Sequence, residues 1–163
     1  MSGADFLKQL YKQGTLQLVE PSVTLKDAYH SKSEGFLSSA KLLLDNDRLE
    51  EAVSLAYYSM YYSVLALLFR AGIKCENHTA AAMLLKLVFE KDPADLVKAK
   101  AERIETQYYI DTELTREEVR HMVLMAETFD GEMFDLVERM TAGDLEKYRS
   151  ELKNILAKAV KGK

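Results

Sequence analysis

Three short strings in this chain carry the side chains that proton transfer, phosphate binding or metal binding require. In Arg116-Glu117-Glu118-Val119-Arg120-His121, a guanidinium and an imidazole stand five positions apart. An arginine can steady a phosphate while a histidine moves the proton in RNA cleavage. Five positions on one regular helix turn the side chains about 140° apart. The pair therefore converges only if the helix begins between them or a second subunit supplies one member; otherwise it is a solvated first turn. Cys75-Glu76-Asn77-His78 holds two potential metal ligands in a loop, but nothing nearby completes a set. The plainer expectation is that His78 caps or packs and that Cys75 is a small buried thiol. Arg103, in Lys100-Ala101-Glu102-Arg103, shares a helical face with Gln107 and precedes Tyr109 and Asp111. It could hold phosphate, but an ion pair with Glu102, Glu105 or Glu51 is the reading the string favours. A Gly-rich phosphate loop, HExxH and GxSxG are all missing from the sequence.

The rest of the composition narrows the class. The chain has 163 residues, enough for one domain with its own hydrophobic core and no disulfide or metal staple. A formal net charge of −4 sets it apart from strongly basic nucleic-acid binders, although a local basic patch remains compatible with it. With a single cysteine, an intrachain disulfide, a CxxC redox pair and a thiolate-only zinc site are excluded. The opening MSGADFLKQL lacks a signal-like apolar run, so the expected location is cytoplasmic.

Positioning these residues falls to helices. Leu49 to Arg70, LEEAVSLAYYSMYYSVLALLFR, is apolar on nearly every side, with paired tyrosines Tyr57-Tyr58 and Tyr61-Tyr62 repeating at i+4. Such a helix is buried in a core or a membrane. Its serines and phenols, and an apolar run shorter than the roughly 20 residues of a span, point to a core. Each buried phenol then needs a hydrogen-bond partner. Before it, a helix is expected over about 24–45, started by Thr24 with Asp27 and weakened, with a bend, over His30–Gly35. Asn77 or Thr79 caps the next helix, Pro93 opens one reaching about Tyr109, and Thr115 with Glu118 forms a capping box. That last helix is notched or interrupted at Asp130-Gly131, and another follows Gly143. Residues 2–13 form a short helix ended by Gly14, followed by an extended or irregular link. No strand-like alternation competes. The fold class is all-α: an antiparallel up-and-down bundle over 24–140, with an N-terminal arm over 1–23 and a C-terminal helix over 141–163 packed on or beside it.

This arrangement resembles the HEPN domains, and most closely the small stand-alone prokaryotic proteins of that superfamily. The resemblance spans roughly 24–140. It rests on SSAKLLLDNDRLEEA, on YYSMYYSVLALLFRAGI, on the helix from His78-Thr79, on Arg103 with Tyr108-Tyr109, and on TREEVRHMVLMAETF. It implies a bundle that often dimerises; many such proteins are ribonucleases, frequently toxins controlled by a nucleotidyltransferase, and others are non-catalytic partners. Ribonuclease members carry an arginine and a histidine separated by four to six residues. Arg103 matches the arginine, but Tyr108, Tyr109 and Ile110 stand where the histidine belongs. A phenol is a poor proton shuttle at neutral pH. The resemblance therefore implies a non-catalytic nucleotide-binding or nucleotidyltransferase-partner protein, with Arg103, Tyr108, Tyr109, Tyr58 and Tyr62 contacting nucleotide or phosphate. The alternatives are a metal-independent ribonuclease of toxin type, using Arg116 and His121, and a structural or regulatory dimeric module. The expected partners are a second copy, a nucleotidyltransferase, and nucleotide or RNA, with no membrane, metal or cofactor.

Overall fold

The computed structural model describes residues 1–108 and 113–158. Within these residues the order is α1 (Gly3–Lys12), β1 (Leu16–Leu18), α2 (Val23–Asp45), α3 (Leu49–Arg70), β2 (Ile73–Cys75), α4 (His78–Leu87), α5 (Ala94–Tyr108), α6 (Arg116–Arg139) and α7 (Ala142–Ala157). The helices form an up-and-down bundle, with one small two-stranded sheet beside it.

α2, α4, α5, α6 and β2 all pack against α3, while α1 and α7 pack on each other. Glu50 and Glu51 in the first turn of α3 and Arg70 in its last complement the helix dipole. Val53, Met60, Val64, Leu67 and Leu68 are fully enclosed. By length and composition α3 could cross a membrane, but most of its apolar surface is covered by the surrounding elements. Its closest companion is α2, reached through a tight turn in which Asp47 takes a positive φ of 55°.

The start of α2 differs from the sequence expectation. Ser22, not Thr24, is the cap, its hydroxyl accepting the Leu25 N–H at 3.1 Å. The weak stretch His30–Gly35 does not interrupt α2, which stays helical to Asp45 because packing outweighs weak propensity. Ser33 is buried there and donates to the Ser59 carbonyl of α3 at 2.7 Å. At α6 the expected Thr115–Glu118 capping box is present, and Gly131 leaves the helix intact to Arg139.

The strands are the element that residue patterning did not reveal. β1 and β2 pair antiparallel, Leu16 with Cys75, Gln17 with Lys74 and Leu18 with Ile73. Three residues each are too few to display an alternation. The sheet ties the N-terminal segment to the end of α3, and Leu7, Leu10 and Leu16 join the common core. From α7, Arg149 Nη1 donates to the carbonyls of Val19 (2.8 Å), Ala71 (3.1 Å) and Gly72 (2.9 Å). Gly72 has φ +72°, and a Cβ there would lie 2.0 Å from that Nη1 and 2.5 Å from the Val19 oxygen. This close crossing of three segments requires glycine.

Candidate functional site

The two tyrosine pairs of α3 divide between two neighbours. Tyr58 and Tyr62 are half-buried and turn towards Phe36 of α2, at centroid distances of 5.9 and 5.2 Å. Tyr57 and Tyr61 are buried and meet His78, the first residue of α4. Asn77 caps that helix, its side-chain oxygen accepting the Ala80 N–H at 2.9 Å. His78 is therefore placed by a helix start, and its ring lies flat on Tyr61, 3.8 Å between centroids and 7° between planes. Its Nδ1 is 2.6 Å from the Tyr57 Oη.

Two cations from α5 complete the cluster. The Arg103 guanidinium lies over the rings of Tyr58 (4.9 Å) and Tyr57 (5.4 Å). Lys100, one turn earlier, donates to the Thr79 hydroxyl at 2.9 Å, directly beside His78. Arg103 Nε is buried and has no hydrogen-bond partner among the described residues. Of the three carboxylates considered for Arg103 (Glu102, Glu105 and Glu51), Glu51 is held by Arg48 instead.

The electrostatics follow from this packing. Burial first, then the charges of Lys100 and Arg103, hold the His78 pKa below its usual 6.5. The imidazole is thus neutral at neutral pH. Burial pushes the Tyr57 phenol up to about 12, so it keeps its proton. Two tautomers satisfy the Tyr57–His78 contact. With Nδ1–H donating to the phenol oxygen, Nε2 presents a lone pair and can take a proton. With the phenol donating to Nδ1, Nε2 carries hydrogen and donates to an anion instead.

The other nominated residues lie elsewhere. Tyr62 is in the α2–α3 seam, with Lys32 Nζ over its ring at 4.5 Å. Tyr108 is 68% exposed at the end of α5, and Tyr109 lies outside the described residues. Arg116 pairs with Asp47 of the α2–α3 turn, and His121 reaches Glu117 at 3.1 Å along its own helix. Within one chain the two side chains have different partners. His121 also lines a groove of about 770 Å³ between α5 and α6, where, among the described residues, Glu102, Glu105, Glu113, Glu117 and Glu118 outnumber the single cation Lys98. Such a lining repels phosphate.

Reading the sequence found Arg103 and Tyr58 but not their company of Tyr57, Tyr61, His78 and Lys100. The only signal for it was the i+4 spacing of Tyr57 and Tyr61 together with a histidine just after a capping asparagine. As for Cys75, its thiol is buried, lies 3.6 Å from the Asn77 carbonyl and has its pKa raised by burial. Among the described residues no group of three histidine, cysteine, aspartate or glutamate side chains is placed to hold a metal.

Comparison with known proteins adds two findings. A family model described as the HEPN domain matches residues 27–133. A UPF0332 protein of Pyrococcus horikoshii is 42% identical over 57 residues, which cover 35% of this chain and 40% of that protein. A UPF0332 protein of Thermotoga maritima is 40% identical over 55 residues, covering 34% and 42% respectively. The chain thus spans about two fifths of the length of these curated relatives.

Proposed function

The chain belongs to the HEPN domain family, and from that premise we propose that it cleaves RNA without a metal at the His78–Arg103 cluster. RNA brings its own nucleophile, the 2′-hydroxyl next to the scissile phosphate. Cleavage then needs a base for that proton and cations for the developing phosphorane charge. In this reading His78 Nε2 takes the 2′-hydroxyl proton while Nδ1–H is steadied on Tyr57. The 2′-oxygen bonds to phosphorus, and Arg103 and Lys100 bind the non-bridging oxygens. The P–O5′ bond breaks, the 5′-oxygen takes a proton from the Lys100 ammonium or from water, and the products are a 2′,3′-cyclic phosphate and a 5′-hydroxyl.

The observation that carries this reading is the buried Arg103 Nε without a partner, next to an imidazole held neutral and fixed. A guanidinium donor without an acceptor among the described residues matches a phosphate oxygen once the side chain turns out from the faces of Tyr57 and Tyr58. The Arg116–His121 string is not part of the proposal.

A second reading is favoured by the Tyr57 phenol, which retains its proton. Donating to Nδ1, it would make Nε2–H a further phosphate donor, and the same cluster would bind a nucleotide or RNA without cutting it. That is the behaviour of a non-catalytic partner, including one that works with a nucleotidyltransferase.

The two readings separate in one assay, incubation of a mixed RNA pool with pure protein and a chelator beside His78→Gln. Cleavage reads as fragments ending in 2′,3′-cyclic phosphate that His78→Gln does not produce. Binding with no cleavage above the His78→Gln background sinks the ribonuclease reading and leaves the partner reading.

A further inference from the structure

The opposite side of α3 carries a buried acid that the proposed site does not use. Asp130 of α6 points into the seam between α2 and α3, and both of its carboxyl oxygens are buried without a hydrogen-bond partner. Three serines surround it: Ser33 from α2, and Ser59 and Ser63 from α3. They lie close enough to lower its pKa as donors, yet each hydroxyl proton is directed at the backbone. Ser33 donates to Ser59 O at 2.7 Å, Ser59 to Ala56 O at 2.8 Å and Ser63 to Met60 O at 2.7 Å. What the hydroxyls offer Asp130 in this arrangement is lone pairs. A carboxylate facing lone pairs in a buried seam is repelled, whereas a neutral carboxyl can donate to one of them.

The charged surroundings agree. On α6 the charge of Glu127 opposes ionisation, and Glu127 is itself tied to Lys41 of α2 at 2.7 Å. Further along the same α2–α6 seam, His30 stacks on Phe134 and Lys26 reaches Glu138 at 3.4 Å. From α3 the polar groups that face Asp130 are Ser59 and Ser63. Burial, the largest cause, raises Asp130 to about 7.

We propose that Asp130, Ser33, Ser59 and Ser63 form a proton-operated switch inside the bundle that sets the hydrogen bonding of α3 beneath the His78 cluster. With Asp130 neutral, the serines bond back to α3 carbonyls. When Asp130 loses its proton, the hydroxyls turn to the carboxylate and release the carbonyls of Ala56 and Met60. Those two carbonyls belong to the residues immediately before Tyr57 and Tyr61, the rings that hold His78. Serine bonds to carbonyls of the preceding turn bend helices, so their release shifts the local path of α3. The bearing of this switch on RNA cleavage rests on the reading of His78 given above; the switch itself does not.

The sign of the linkage is fixed by the direction of the shift. An acid raised from 3.8 to about 7 keeps its proton in the folded state after the unfolded chain has lost it. Folding stability therefore falls as pH rises between those values and levels off above them.

The test is carbon-13 NMR of protein labelled at aspartate carboxyls and tyrosine rings, titrated from about pH 5 to pH 9. One carboxyl should titrate near neutrality and be missing in Asp130→Asn, which keeps shape and a donor. The Tyr57 and Tyr61 ring signals should move with the same midpoint in the wild type and stay still in Asp130→Asn. In a Ser59→Ala/Ser63→Ala variant the carboxyl should still titrate, at a higher midpoint, with the ring response lost. An Asp130 carboxyl titrating with the exposed aspartates, or titrating near neutrality with both rings unmoved, overturns the proposal. RNA cleavage is not a readout, so a failed ribonuclease reading cannot be mistaken for a failed switch.

Discussion

His78 and His121 both come with an arginine, yet the fold treats them in opposite ways. His78 is clamped between a phenol and an aromatic face, with two cations from α5 beside it. His121 is 70% exposed at its side chain, paired among the described residues with a glutamate one turn back, beside a groove lined mostly by carboxylates. The first imidazole is fixed, neutral and set among positive charge; the second is solvated and faces negative charge. Sequence spacing suggested the second pair, and three-dimensional convergence favours the first. Proximity in a string is a weak guide to chemistry because a helix turns its side chains apart faster than it brings them together.

Single substitutions can break this comparison, and the arginines should show the largest effect. Arg103→Ala should lower RNA cleavage by about 100-fold or more, the scale of removing one charge-stabilising donor. Arg116→Ala, measured in the same single-turnover assay, should leave the rate within about twofold, since only a surface pair with Asp47 is lost. Equal losses from the two variants would erase the distinction.

Tyr57→Phe should act less strongly. It leaves the ring stack but removes the 2.6 Å bond that fixes the imidazole. A hydrogen bond of this kind contributes about 0.5–1.5 kcal/mol net, so cleavage should fall by up to about tenfold. Glu117→Gln, which removes the corresponding partner of His121, should change nothing beyond error.

A pH profile sharpens the contrast further. Because His78 titrates below 6.5 in the folded protein, cleavage should stay high until the pH drops below that value. Lys100→Ala removes one of the causes of the depression, so the acid limb should move to higher pH. Stability carries the same sign. As pH falls through 6.5 the unfolded chain binds a proton that folded His78 resists, so the protein loses stability there. His78→Gln should remove that increment in denaturant titrations.

The smallest effect belongs to the scaffold. Arg149→Ala removes three carbonyl contacts that join α7 to the β1 and β2 segments, and should cost about 1–3 kcal/mol of stability with the cleavage midpoint in pH unchanged. Thermal denaturation paired with the pH profile checks both halves of that statement.

Much of the fold was legible because its signals are local. The all-round apolar character of Leu49 to Arg70 marks a central helix, and the Thr115–Glu118 box states where α6 begins. The Leu16–Leu18 and Ile73–Cys75 strands were not legible, since each is shorter than the period needed to recognise it. The cap of α2 was missed because two hydroxyls, Ser22 and Thr24, precede the same helix and only geometry selects one. Of the site, Arg103 could be found, but its histidine could not. The spacing that the resemblance implies places a histidine after the arginine at sequence positions held here by Tyr108, Tyr109 and Ile110. In this fold the imidazole comes from the start of α4, across the tyrosines of α3. That juxtaposition depends on tertiary packing.

The most direct test of the central claim follows the three histidines by proton–nitrogen NMR while a dinucleotide with a 2′-deoxy linkage, which cannot be cut, is added. This readout holds whether the cluster cleaves RNA or only binds it. The account predicts that the His78 ring signals shift together with those of Tyr57 and Tyr61, while His121 and His30 stay in place. Shifts confined to His121 with an unmoved His78 would contradict it and return the phosphate to the α5–α6 groove.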